Sequence, residues 1–107
     1  MSGANEAPNG ARGEAALALG GETLRLRPSF AALVAAEDEL GPLFDLVDRA
    51  ADGKLSLADM AALFWHCLVD RPSDLTRERL GEAIVEAGLA TLSPVLRGIL
   101  KQILGGR

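Results

Sequence analysis

Gly20-Gly21 stands between two runs of alternating leucine, and this arrangement constrains the fold more than any other feature of the chain. Two adjacent glycines supply the positive φ angles that a two-residue hairpin turn requires. Before them, Ala15, Leu17 and Leu19 alternate with smaller neighbours; after them, Leu24 and Leu26 alternate with Thr23, Arg25 and Arg27. Successive side chains of a strand point to opposite faces. Pairing Leu19 with Glu22 therefore sets Leu17 opposite Leu24 and Ala15 opposite Leu26, with every apolar residue on one face. A two-stranded hairpin is marginal in water. Its apolar face has to be covered, and the rest of the chain reads as helix.

Pro28 ends the second strand, and Ser29 caps a helix running to about Leu40 with Phe30, Leu33 and Val34 on one face. Gly41-Pro42 breaks it. A second short helix over 42–51 carries Leu43, Phe44, Leu46 and Val47 and stops at Asp52-Gly53. Ser56 opens a third helix to about Val69, with Asp59 at the third helical position as a variant of the capping box. Leu57, Met60, Leu63, Phe64, Trp65, Cys67 and Leu68 cover much of its circumference, which predicts a place at the centre of the fold. After a loop at 71–74, Thr76 caps a fourth helix over 77–87, closed by Gly88. A fifth spans about 90–104; a proline is tolerated in the first turn, so Pro94 favours a start near Thr91. The expected architecture is α+β, mostly α: an N-terminal two-stranded β-hairpin packed on about five short helices. It forms a single domain over 13–105 behind a flexible tail at 1–12, since 107 residues suit one domain.

Composition narrows the function classes. Aromatic residues are only 4% of a chain that is 49% hydrophobic, so the core is built from Leu, Ala and Val. A net charge of −4 argues against nucleic acid, which needs a concentrated basic surface. Arg97 and Lys101, spaced i, i+4, make a small basic patch without aromatic partners for stacking. Cys67 is the single cysteine, which rules out an intrachain disulfide and leaves a zinc cluster without its usual thiolates. No apolar run reaches the roughly 20 residues of a membrane span, and the N-terminus lacks the apolar stretch of a signal peptide. The expectation is a soluble cytoplasmic protein with no nucleic-acid or membrane partner and no cofactor.

The sharpest local motif runs from Asp48 to Asp59. Laid on the twelve-residue EF-hand loop, Asp48, Asp52 and Asp59 fall at the first, fifth and twelfth positions, with Gly53 at the sixth. The third position is Ala50, which has no side-chain oxygen, and Asp59 is a carbon shorter than the usual bidentate Glu. A degenerate, EF-hand-like calcium-binding switch is the alternative reading. The same residues are also the stop of one helix and the cap of the next. His66 and Cys67 are adjacent on a helix and diverge by about 100°, so they do not form a nucleophilic pair. No residue set assembles a catalytic group, and the chain reads as a binding protein rather than an enzyme. Candidate partner-binding residues are Thr23, Arg25 and Arg27 on the outer face or edge of the hairpin, and Arg97 and Lys101 on the fifth helix. An edge strand accepts another by β-augmentation, and an apolar helical stripe docks in a groove.

The order of these features resembles a known family. Arg12-Gly13-Glu14, the Gly-Gly hairpin and Leu26-Arg27-Pro28-Ser29-Phe30 precede a Glu-rich helix ending in Leu40-Gly41. Gly53-Lys54-Leu55-Ser56 then leads into the central helix, and Glu86-Ala87-Gly88-Leu89 follows. Over about residues 12–105 this is similar to the small tail assembly protein of alphaproteobacterial gene transfer agents and related phages, labelled a tail tube protein or a tail assembly chaperone. The resemblance implies a role in building a phage-like tail. It implies the tape-measure protein as partner, with the tail tube protein as a second, and it brings no catalytic residue.

Overall fold

The computed structural model describes residues 15–19 and 21–105; the tail expected at 1–12, the Arg12-Gly13-Glu14 stretch and Gly20 lie outside the described residues. Strands β1 (Ala15–Leu19) and β2 (Glu22–Leu26) pair antiparallel, with Leu17 opposite Leu24 and Ala15 opposite Leu26. This is the register that the leucine alternation requires. Gly21 holds φ 82° in the turn, a conformation open to glycine. Leu17 and Leu26 have no exposed surface. Each contributes about 1.5–3 kcal/mol by leaving water.

Five helices follow, α1 (Phe30–Leu40), α2 (Leu43–Ala51), α3 (Leu57–Cys67), α4 (Arg77–Ala87) and α5 (Leu89–Gly105). The expected caps are made. Ser29 Oγ accepts from the Ala32 N–H at 3.2 Å, and Thr76 Oγ1 accepts from the Arg79 N–H at 3.1 Å. Both halves of the Ser56–Asp59 box are present, at 3.0 Å to Ser56 Oγ and 3.4 Å to Asp59 Oδ2. Gly88, at φ 91°, separates α4 from α5, and the two helix axes bend by 116° across it. Among the described residues no single helix is long and apolar enough to cross a membrane.

Helix α3 sits at the centre, as its broad apolar surface predicts. Met60, Ala61, Ala62, Leu63, Phe64 and Cys67 are all buried. Helices α1 and α4 pack on it, and α5 packs against β1. The inner face of the sheet, Leu46 of α2, Leu80 and Ile84 of α4, and Leu92 and Ile99 of α5 complete one core.

Two expectations are corrected. The third helix ends at Cys67, and Leu68–Val69 form a short strand β3, antiparallel to β2, with Leu26 opposite Leu68 and Arg25 opposite Val69. The Arg27 N–H also donates to the Cys67 carbonyl at 2.7 Å. The hairpin is thus part of a three-stranded sheet in the order β1-β2-β3. Leu68 and Val69 continue the apolar run of the third helix and so read locally as its last turn; the unpaired edge of β2 captures them as strand, which the β-branched Val69 favours. Asp70 closes β3 at φ 53°, a left-handed position that Asp tolerates, and its Oδ2 pairs with Arg25 at 2.9 Å. The fifth helix begins at Leu89, so Pro94 lies inside it rather than in its first turn. Pro94 is exposed, as is Ala90, the residue whose carbonyl would otherwise accept from an N–H at that position. The Ser93 hydroxyl donates to the Leu89 carbonyl at 3.2 Å nearby.

Candidate partner-binding surfaces

The chemical candidates are engaged in structural work. Asp52 closes α2, its N–H donating to the Asp48 carbonyl at 3.0 Å, and Asp59 lies 3.3 Å from the Arg49 guanidinium as well as in the α3 cap. Among the described residues no group of three or more His, Cys, Asp or Glu is placed to hold a metal ion. Asp48, Asp52 and Asp59 are therefore not brought together as calcium ligands, because the segment between α2 and α3 serves as a stop and a cap.

Cys67 is 1% exposed, and burial pushes its thiol up to about 12, so it carries no reactive thiolate near neutral pH. His66 turns away from it and places Nε2 2.8 Å from Glu39 Oε1. Arg77 donates to the other oxygen of the same carboxylate. These two hydrogen bonds, from His66 first and Arg77 second, hold the Glu39 carboxyl below its usual range. The Arg71 and Arg77 guanidinium carbons stand 4.1 and 5.7 Å from the centre of the Trp65 ring. The cluster joins the C-terminal ends of α1 and α3 to the start of α4. A carboxylate already paired with two donors at this joint positions helices.

The hairpin candidates are redistributed by β3. Thr23 and Arg27 are exposed, whereas Arg25 is half-buried and paired with Asp70. The hydrogen-bonding edge of β2 at Arg25 and Leu26 is occupied by β3, so an incoming strand does not add there. This corrects the edge expected on β2; the outward face of that strand stays open at Thr23. Arg97 and Lys101 are both exposed on α5.

A surface that the residue pattern did not single out is apolar. Phe30 is 86% exposed and Phe44 76% exposed, and Val34 and Leu104 are exposed as well. Leu43, Phe44, Val47, Ile103 and Leu104 line one groove with Glu37 between α1, α2 and α5. Positions 30, 34 and 37 share one stripe of α1, so Phe30 and Val34 lead along that helix to the groove at Glu37. The Glu37 carboxylate also accepts from the Leu43 N–H at 3.1 Å, an anion at the start of α2. Glu37 sets a carboxylate at the border of the groove, and Asp38, Asp45 and Asp48 are exposed on the same two helices. Clustered exposed apolar residues with a polar rim mark interaction surfaces. Reading each helix alone assigns Phe30 and Phe44 to a core; the acidic residues sharing their helix faces are the available signal against it.

A family profile described as phage tail tube protein, GTA-gp10, matches residues 12–106. No curated protein and no solved structure matches the chain. The matched span takes in the three strands and five helices of the described residues, and with them every surface described above. The chain belongs to the phage tail tube protein, GTA-gp10, family, and is a tail-related protein of phages and gene transfer agents.

Proposed function

We propose that the protein is a non-catalytic tail assembly chaperone that binds the tape-measure protein and keeps it soluble while tail-tube subunits polymerise around it. On this reading it acts in the bacterial cytoplasm during particle assembly, and the tail tube protein is a second partner. The single observation that carries the reading is the acid-bordered apolar strip of Phe30, Val34, Phe44 and Leu104. A tape-measure protein is long and presents apolar helical stripes. Such a stripe lies in a groove of this kind through anchors at i, i+3, i+4 and i+7, and exposed aromatic side chains supply most of the affinity of such contacts.

The test is co-expression with the tape-measure protein from the same structural gene cluster. Expected is a co-purifying complex and a larger soluble fraction of the partner. Phe30→Ala with Phe44→Ala should abolish both while the circular dichroism spectrum stays as in the wild type. A soluble partner without its companion, or a complex indifferent to the double substitution, overturns the reading.

A further inference from the structure

Two further faces of the molecule, one of which borders the Phe44 groove at Val47, are matched to each other. Between α3 and α4 lies a shallow groove floored by Leu57, Ala61, Gly81 and Val85, with Glu78 and Glu82 on its border. Val85 is 59% exposed, and a Cβ added at Gly81 would meet nothing within 4 Å, so the floor is open. Between α2 and α5 lies a second face of Val47, Ala50, Leu96 and Leu100, bordered by Arg97 and continued one turn on by Lys101. The acids are spaced i, i+4 on α4 and the bases i, i+4 on α5. Side chains at that spacing stand about 5–6 Å apart on any α-helix, so one pair is a template for the other. Among the described residues none of the four makes an ion pair within the chain. The two faces share no residue.

We propose that the α2/α5 face of one copy docks in the α3/α4 groove of the next, with Arg97 and Lys101 against Glu82 and Glu78. The occupant is a second copy of this chain because the chain itself carries both halves of the charge match around apolar floors. Apolar contact supplies the attraction, and the charge pairs set register and orientation. The contact is heterologous, so a bound pair still presents one unused face of each kind, one on each copy, and the assembly grows into a ring or a filament. The exposed charges make it salt-sensitive.

Sedimentation velocity on the purified full-length protein alone tests this, with no tail component present. The average mass should rise with concentration and fall as salt is added. Glu78→Lys with Glu82→Lys, and separately Arg97→Glu with Lys101→Glu, should each weaken self-association ~10-fold or more, since like charges then face each other. An equimolar mixture of the two variants should reassemble, because each reversed face finds its complement on the other chain. If a reversal variant fails to fold, Glu78→Gln with Glu82→Gln replaces it and should flatten the salt dependence. A wild-type protein monomeric at ~1 mM, assembly that survives both reversals, or a mixture that stays monomeric overturns the proposal.

Discussion

Phe64 has no exposed surface, whereas Phe30 and Phe44 stand 86% and 76% exposed, although all three lie on short helices of the same chain. The difference lies in what each helix packs against. Helix α3 is enclosed by α1 and α4, so nearly any large apolar side chain on it finds a partner. Helices α1 and α2 turn one face inward through Ala32, Ala36 and Leu46, and their phenylalanines point elsewhere. Apolar surface in water costs solubility without helping the fold. The chain has only 4% aromatic residues and places two of its four in solvent, and it is this exposure that the proposed partner contact rests on.

The largest expected effect separates these two uses of phenylalanine. Phe64→Ala should destabilise by about 3–5 kcal/mol in urea unfolding, through lost burial and the cavity left behind. Phe44→Ala should stay within about 0.5 kcal/mol of the wild type. A Phe44 substitution as damaging as that at Phe64 would make the strip part of the core and break the comparison. The next contrast lies in β2, where Leu26→Ala should cost about 2–5 kcal/mol. Thr23→Ala, on the exposed face of the same strand, should cost about 0.5 kcal/mol or less. Equal losses would mean that the sheet buries both faces.

Smaller effects sharpen the boundary between core and surface. Ser56→Ala should cost about 0.5–2 kcal/mol by leaving the α3 N-terminus without its cap; a neutral result would show that solvent satisfies that end equally well. The smallest effect concerns Glu39. Its folded pKa lies below the unfolded value of 4.5, so its contribution is fully present above pH 4.5 and is lost as pH falls through the lower, folded value. The carboxylate is more than a third exposed, and screening keeps the contribution small. Thermal melting across the acid range should show a shallower fall for Glu39→Gln than for the wild type. An unchanged slope would remove His66 and Arg77 as determinants of that titration.

Much of the architecture was legible because local rules agreed. The hairpin register follows from five alternating positions, and Ser29, Ser56 and Thr76 mark three helix starts that the structure keeps. The candidate surfaces were less legible. Thr23, Arg27, Arg97 and Lys101 were read as exposed and are exposed, but the β2 edge was read as open and β3 covers it. Phe30 and Phe44 were read only as apolar residues of two separate helices, since a hydrophobic residue at helical spacing carries no record of which neighbour arrives to cover it.

By itself the sequence determined the turn at Gly21, the common apolar face of the two strands, the helix caps and the central place of α3. Each of these depends on backbone freedom or on side-chain period within a few residues. Only the tertiary structure decided that Leu68–Val69 becomes a strand, that Glu39 meets His66 and Arg77, and that Phe30 and Phe44 stay in solvent. Those outcomes depend on partners distant along the chain. A dipeptide joins whichever hydrogen-bonding edge is left unpaired, and an apolar side chain is buried only when another element reaches it.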